Sequence, residues 1–426
     1  MLALSLVRDQ PDTVRKALRD RRHPTEAVDR VVALDDERRR LQQEADALKA
    51  ERNQQGPEIA KRKREGQDAS DLLRRGAEIA ERVKALDARL SEVEAEQKKL
   101  LLHIPNVPLA DVPVGADAND NVLVRKGGER RTFAFEARPH WEIAERLGLF
   151  DFARGAKIAG SHWPLYVGLG ARLERALIQF MLDLQTRERG YVEVSPPFVV
   201  NRATMVGTGQ LPKFEDDMYR VDLDDLFLIP TAEVPITNLH REETLGQADL
   251  PRRYAGYTPC WRREAGAYGK DTRGIQRVHQ FDKVELVKLC APEQAEPEHQ
   301  GMLADATAVC ERLGLEHRVI LLCTGDTGFG SCKTYDVELW APVTGRWFEC
   351  SSVSQCGEFQ ARRLNTRYRD AEGKLRFVHT LNGSGLATPR VLIALLETYQ
   401  RADGGLDVPE ALRGYMGGVA RIGGPG

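Results

Sequence analysis

Four short stretches carry residue types that act on phosphates and small polar molecules. Cys260-Trp261-Arg262-Arg263-Glu264 ends an apolar run in arginine, whose planar guanidinium donates in pairs to a phosphate or carboxylate and keeps its charge. A glycine-punctuated polar loop, 265–274, follows and could close over a polyphosphate; then comes Val278-His279-Gln280-Phe281-Asp282-Lys283-Val284-Glu285. Thr231-Ala232-Glu233 follows the apolar run 227–230, placing a hydroxyl and a carboxylate at a strand end, where small polar substrates are held. Glu349-Cys350-Ser351-Ser352 sets a carboxylate and hydroxyls in a row, hard oxygen donors suited to Mg2+. Finally, Leu381-Asn382-Gly383-Ser384-Gly385-Leu386-Ala387-Thr388-Pro389-Arg390 runs a strand through a glycine turn into a helix with arginine in its first turn. Each stretch also has an ordinary structural reading. Arg262 and Glu264 fit a surface hairpin, Thr231 an N-cap, Ser351 a solvated strand residue and Asn382-Gly383 a simple turn. Four such stretches in one chain favour a site for a phosphorylated ligand.

Other chemistries lack support. In residues 325–334, GDTGFGSCKT, Ser331 stands where a phosphate loop needs its lysine and Lys333 comes two places late, so a tight turn between strands is expected. There is no H-E-x-x-H and no serine in G-x-S-x-G. Seven cysteines without C-x-x-C spacing fit neither a disulfide framework nor a zinc ribbon, and suit a reducing cytosol. With 62 basic against 64 acidic residues, a nucleic acid must be held by a local patch rather than a uniformly basic coat. The first residues reach charge too early for a secretory leader, and no apolar run approaches the ~18 residues of a membrane span. A soluble cytoplasmic protein with no membrane partner is expected.

The elements that position these residues fall into two regions of different periodicity. The 426 residues suggest two or three domains at ~150 residues each. Over residues 28–102 a seven-residue beat runs through Leu34, Leu41 and Leu48, and again through Leu72, Ile79, Leu86, Val93 and Leu100, with Val83 and Leu90 four places after two of them. Gly56-Pro57 and Gly66 lie between the rows and are expected to weaken or stop a helix. The expectation is an N-terminal antiparallel coiled-coil arm over residues 1–105, flanked by pairs such as Glu78–Arg82, with the basic run Lys61-Arg62-Lys63-Arg64 near its tip. That run reads equally as a phosphate-neutralising patch or as a solvated helix face.

A proline-bearing linker, 106–125, should separate the arm from a catalytic domain, 126–426. There, β-rich runs at 227–229, 283–287, 318–323 and 335–340 alternate with helical patterns at 171–189, 293–313 and 389–401. Strands following strands over 318–380 without helices favour an α+β fold with an antiparallel sheet flanked by helices. The glycine-rich tail 417–426 is expected to be disordered.

The stretches TAEVP at 231–235, EAG at 264–266, DTRG at 271–274, HQFDKVE at 279–285, CTGD at 323–326, FQARR at 359–363, HTLNGSGLA at 379–387 and VPEALR at 408–413 resemble the seryl-tRNA synthetases of class II. So does the N-terminal hairpin, and the resemblance spans nearly the whole chain. Where the family usually has SSCSN and FRSEAG, this chain reads Ser351-Ser352-Val353-Ser354-Gln355 and Trp261-Arg262-Arg263-Glu264-Ala265-Gly266.

The resemblance implies a six- to seven-stranded antiparallel class II synthetase sheet and a homodimer with 171–189 and 191–197 at its interface. It also implies an arm that binds the long variable arm of tRNA. The substrates would be serine, ATP and tRNA(Ser), with tRNA(Sec) as a further acceptor in the family. By the same resemblance Arg262 bridges the serine carboxylate and the α-phosphate. Thr231 and Glu233 surround the serine ammonium, Glu285 meets ammonium and hydroxyl, and Asn382 and Ser384 lie at the hydroxyl end. Glu264 lies near the adenine edge, with Phe281 stacked on the base beside the backbone of Val278. Glu349 and Ser352 hold Mg2+, the backbone of Cys350 and Ser351 lines the nucleotide, and Arg390 reaches the γ-phosphate.

Two rivals share parts of this pattern. A ligase that loads an amino acid onto a carrier protein would lack the arm. A coiled-coil RNA-binding paralogue with an inactive catalytic fold would have no need of Arg262, Glu264, Glu285, Glu349 and Arg390, all of which are present.

Overall fold

The computed structural model describes residues 1–264 and 273–423, which form two compact units: Leu2–Pro105, and 106 onward together with Met1. The polar loop at 265–274 is therefore described only at its last two residues. Among the described residues no helix is long and apolar enough to cross a membrane.

In the first unit, helices Leu4–Asp9 and Pro11–Asp20 precede two long ones, α1 (Glu26–Arg64) and α2 (Ser70–His103). Ion pairs Arg30–Glu96, Glu37–Arg89, Glu44–Arg82 and Glu51–Arg75 descend in register and make the pair antiparallel. Leu34, Leu41 and Ala45 pack with Leu86 and Val93 along the seam, with Leu48, Leu90 and Leu100 at its margins. Two expectations differ from this arrangement. Gly56-Pro57 does not end α1, which continues to Arg64. Pro57 removes one N–H, but the carbonyl it orphans belongs to exposed Asn53, where water can satisfy it. The turn falls at the other expected break, 65–69, where Gly66 adopts φ +70°. Nor does Arg82 pair with Glu78, since the cross-helix Glu44 is 2.7 Å away and Glu78 turns toward Arg75. Lys61, Arg62, Lys63 and Arg64 form the last turn of α1, where Arg62 is engaged by Glu58 and Asp71.

The second unit is built on one eight-stranded sheet. Its strands are β1 (Val122–Gly127), β2 (Val192–Glu193), β3 (Arg252–Trp261), β4 (Gln280–Cys290), β5 (His317–Leu321), β6 (Lys333–Ala341), β7 (Arg346–Gly357) and β8 (His379–Ala387). They lie in the order β1-β5-β6-β7-β8-β4-β3-β2 and pair antiparallel throughout, except that the two-residue β2 runs parallel to β3 at the edge. Helices α3 (Leu169–Asp183), α4 (Ala295–Arg312), α5 (Phe359–Leu364) and α6 (Thr388–Tyr399) flank it. The core joins the inner residues Val284, Leu286, Val337 and Val353 of the strands to Leu177, Met302, Leu392 and Leu395 of the helices.

Three details differ from the sequence reading. α5 interrupts the run of strands expected over 318–380. Residues 106–125 are pinned to the second unit, since the Asn106 amide donates to Cys356 O at 2.8 Å and Val122 begins β1. In the tail, Arg421–Ile422 pairs with Leu406–Asp407 and buries Ile422, so 417–423 are ordered by an apolar anchor that glycine content conceals; 424–426 lie outside the described residues.

Candidate active site

A cavity of about 300 Å³ opens on one face of the sheet. The two-residue period of the strands decides which side chains reach it. On β4 these are Phe281, Lys283 and Glu285, while Val284 and Leu286 enter the core; on β7 they are Cys350, Ser352, Ser354 and Cys356. A register shift between Val337 and Glu338 makes Cys350 an extra residue in β7, which brings Glu349 to the same face. β8 supplies Asn382 and Ser384, Arg262 follows the end of β3, and Arg390 sits in the first turn of α6.

At one end two carboxylates face an amide and an ammonium. Glu285 is 1% exposed and stands 2.6 Å from Lys283 Nζ, while Asn382 Nδ2 and Ser384 Oγ donate to its oxygens at 3.4 and 3.5 Å. Lys283 Nζ also donates to Thr231 Oγ1 at 2.8 Å. Glu233 opens the short helix Glu233–Thr237, its N–H capped by Thr231 Oγ1 at 3.1 Å and its Oε1 accepting from Gln360 Nε2 at 2.7 Å. Gln360 is itself oriented by Thr380, whose hydroxyl donates to its carbonyl at 2.6 Å. Burial first, and then the Glu285 charge, push the Glu233 carboxyl up to about 7, against the opposing pull of Gln360, Lys283 and Arg262.

At the other end the surroundings suit an aromatic base and phosphates. The Arg262 guanidinium lies 5.1 Å over the Phe281 ring, a cation–π contact that holds it at the cavity wall. Glu264 pairs with Arg277 at 3.0 Å, and buried Val278 lines the cavity nearby. Arg390 pairs with Glu349 at 3.4 Å. Asp336, paired opposite Ser352 on β6, is buried with Oδ1 unpartnered among the described residues; burial and then Glu349 push its carboxyl well above the usual range.

The structure thus brings Thr231, Glu233, Arg262, Glu264, Val278, Phe281, Glu285, Glu349, Cys350, Ser352, Asn382, Ser384 and Arg390 to one cavity wall. Ser351 is the exception. Strand alternation turns its side chain to the opposite side, where the hydroxyl donates to Ser384 O at 2.7 Å and steadies a neighbouring strand, so that only its backbone is left to face the nucleotide. The sequence reading missed Lys283 and Gln360. Lys283 lies two residues before Glu285 in a strand, and that period was the available signal. Gln360 stands in the FQARR stretch that carries the resemblance, but only α5 brings its side chain to the cavity from a remote segment. In 325–334 Lys333 is tied to Asp111 at 2.6 Å and Glu296 at 3.1 Å, which keeps it from any phosphate, while Gly328, Phe329 and Gly330 lie on the cavity wall.

This antiparallel sheet and its cavity define the catalytic core of a class II aminoacyl-tRNA synthetase. Residues 213–399 match the tRNA synthetase class II core domain (G, H, P, S and T), and residues 1–108 match the seryl-tRNA synthetase N-terminal domain. The serine–tRNA ligase of Geobacillus kaustophilus is 53% identical over 98% of this chain and 99% of its own length. That of Syntrophobacter fumaroxidans is 50% identical over 99% and 100%. The crystal structure of seryl-tRNA synthetase from Pyrococcus horikoshii complexed with ATP superposes with a TM-score of 0.95 at 37% identity, covering 100% of both chains. The chain belongs to the seryl-tRNA synthetase family, the serine–tRNA ligases.

Proposed function

We propose that the cavity activates serine with ATP and passes the seryl group to the 3′ end of tRNA(Ser), and of tRNA(Sec) where that acceptor is present. The carrying observation is the convergence of Arg262, Glu233 and Glu285 on one cavity with Arg390 and Glu349 at its far end. An amino acid with its carboxylate on Arg262 and its ammonium between Glu233 and Glu285 points its side chain toward Asn382 and Ser384. Its carboxylate oxygen attacks the α-phosphorus of ATP, the bond from that phosphorus to the pyrophosphate oxygen breaks, and seryl-adenylate remains. The terminal adenosine hydroxyl of tRNA then attacks the acyl carbon and AMP leaves. No side chain serves as nucleophile, so catalysis rests on placement and on neutralising phosphate charge. Arg262 spans the reacting carboxylate and the α-phosphate. Phe281, Val278 and Glu264 hold the adenine, and Arg390 meets the γ-phosphate.

Mg2+ fits the far end. Glu349 and Ser352 offer hard oxygen donors, and Asp336, opposite Ser352 on β6, is a buried carboxyl with one oxygen unpartnered among the described residues that a nearby cation would relieve. When bound, the ion would neutralise charge on the β- and γ-phosphates. A cytoplasmic homodimer belongs to the same proposal: β2 ends the sheet with Val192 59% exposed, an open strand edge that a second copy can cover.

The test is pyrophosphate exchange and tRNA charging with serine. Exchange and charging together support the ligase, exchange without charging points to a carrier-protein substrate, and neither activity points to an inactive paralogue. In the same assay Glu349→Gln should need at least ~10-fold more Mg2+ for half-maximal exchange, since one charge-assisted ligand is lost. An unchanged requirement places the ion elsewhere.

The raised Glu233 carboxyl gives a second prediction. Only its ionised form pairs with the serine ammonium, so serine binding strengthens as pH rises through about 7. Below that point KM for serine should climb by up to ~10-fold per pH unit while KM for ATP stays level. Parallel shifts in both constants would show that Glu233 does not touch serine.

A further inference from the structure

Lys283 is 6% exposed, on the cavity face of β4 between Phe281 and Glu285. Its ammonium donates to Thr231 Oγ1 at 2.8 Å and lies 2.6 Å from Glu285 Oε2. Thr231 Oγ1 also accepts the Glu233 N–H at 3.1 Å. A hydroxyl has two lone pairs and one proton. With both lone pairs engaged, Thr231 can meet a substrate as a donor, to a hydroxyl or carboxylate oxygen, and not as an acceptor for the ammonium, which falls to Glu233 and Glu285. Glu285, a carboxylate against an ammonium, can meet it as an acceptor. The contacts from Asn382 and Ser384 to Glu285, at 3.4 and 3.5 Å, are long enough for a substrate N–H or O–H to compete for the same oxygens.

We infer that Lys283 is a positioning residue of the serine pocket, fixing Thr231 as a donor and Glu285 as an acceptor and so setting the preference for a substrate that bears both a hydroxyl and an ammonium. The inference rests on the proposed serine reading. The chemistry is one of unpaired groups: an analogue lacking the hydroxyl leaves oriented buried polar atoms without partners, and their orientation depends on Lys283. Lys283 also sets the local charge. Glu233 and Glu285 face it as acids, Arg262 as the second cation, and Cys260 on β3 and Cys356 on β7 as buried thiols beside the same groups. Removing the ammonium takes away one of the influences that hold the Glu233 carboxyl down.

The test is Lys283→Met in the full-length enzyme, with serine and alanine as substrates in pyrophosphate exchange. KM for serine should rise at least ~30-fold with KM for ATP within about twofold, matching the loss of charge-assisted hydrogen bonds on the serine side alone. The preference for serine over alanine should fall at least ~10-fold. The pH midpoint of serine KM should move upward from about 7, a change that a merely structural lysine would not produce. Lys283→Gln keeps a donor to Thr231 without the charge; it should recover part of the alanine discrimination and none of the pH midpoint. A folded Lys283→Met enzyme whose midpoint and discrimination stay put overturns the inference, whether or not KM changes. If that variant does not fold, Lys283→Gln is judged by its pH midpoint in the same way. Loss of serine-dependent exchange in the wild-type enzyme would instead remove the serine reading itself.

Discussion

Alanine at Glu285 abolishes serine-dependent pyrophosphate exchange, with a fall of at least ~1,000-fold expected from the loss of a buried charged hydrogen-bonding group together with its pocket. Two effects combine. The variant removes the acceptor that meets the serine ammonium and hydroxyl, and it strands Lys283 Nζ, which has Glu285 Oε2 at 2.6 Å. Breaking a buried pair by removing one partner costs about 3–5 kcal/mol, so some stability is lost as well. Glu285→Gln separates the two effects. It keeps the volume and a carbonyl acceptor for the lysine, so a urea midpoint close to wild type with exchange still lost assigns the defect to serine recognition. ATP binding, measured by calorimetry on the same protein, should be retained, because Glu264, Val278, Phe281 and Arg390 lie at the other end of the cavity. Exchange within tenfold of wild type for either variant removes Glu285 from the site.

The reason Glu285 was visible in the sequence, and Lys283 and Gln360 were not, is physical. Glu285 stands in HQFDKVE, a stretch dense enough in charge for a strand to invite a functional reading. The same stretch contains Lys283, but a lysine in a strand is ordinarily solvent-facing, and only the burial on β4 turns it into a pocket residue. Gln360 depends on α5, a six-residue helix too short to show a helical period between the strands on either side. The side chain of Ser351 shows the same dependence on the fold. A row of hydroxyls looks uniform in one dimension, whereas a strand sends alternate members to opposite faces, and the bulge at Glu349-Cys350 then decides which members share the cavity. The arm was legible because a heptad beat survives without tertiary context. Of the two breaks it offered, Gly66 makes the turn and Gly56-Pro57 does not, because Pro57 is tolerated wherever water can reach the carbonyl it frees.

Removal of residues 26–103 should leave serine-dependent exchange within about threefold of wild type while tRNA charging falls by at least ~100-fold, the scale expected when many phosphate contacts are lost together. The expectation follows from how the chemistry is distributed. Among the described residues, every one lining the cavity lies between Thr208 and Arg390, in the second unit, and the α1–α2 pair is held by its own leucine seam and cross-helix ion pairs. No reacting group is therefore deleted. What is deleted is the last turn of α1, where Lys61, Lys63 and Arg64 reach the end of a helix about 58 Å long by its rise per residue. Such a spacing suits contact with a long RNA substrate and has no use in adenylate formation. Reversing Lys61, Lys63 and Arg64 to glutamate in the intact chain should weaken charging in the same direction and flatten its dependence on salt, because each lost phosphate contact removes a released counterion. Exchange must stay level in that variant. If deleting the arm takes exchange and charging down together, the two activities are not separable in this enzyme and the arm is part of the catalytic unit's stability.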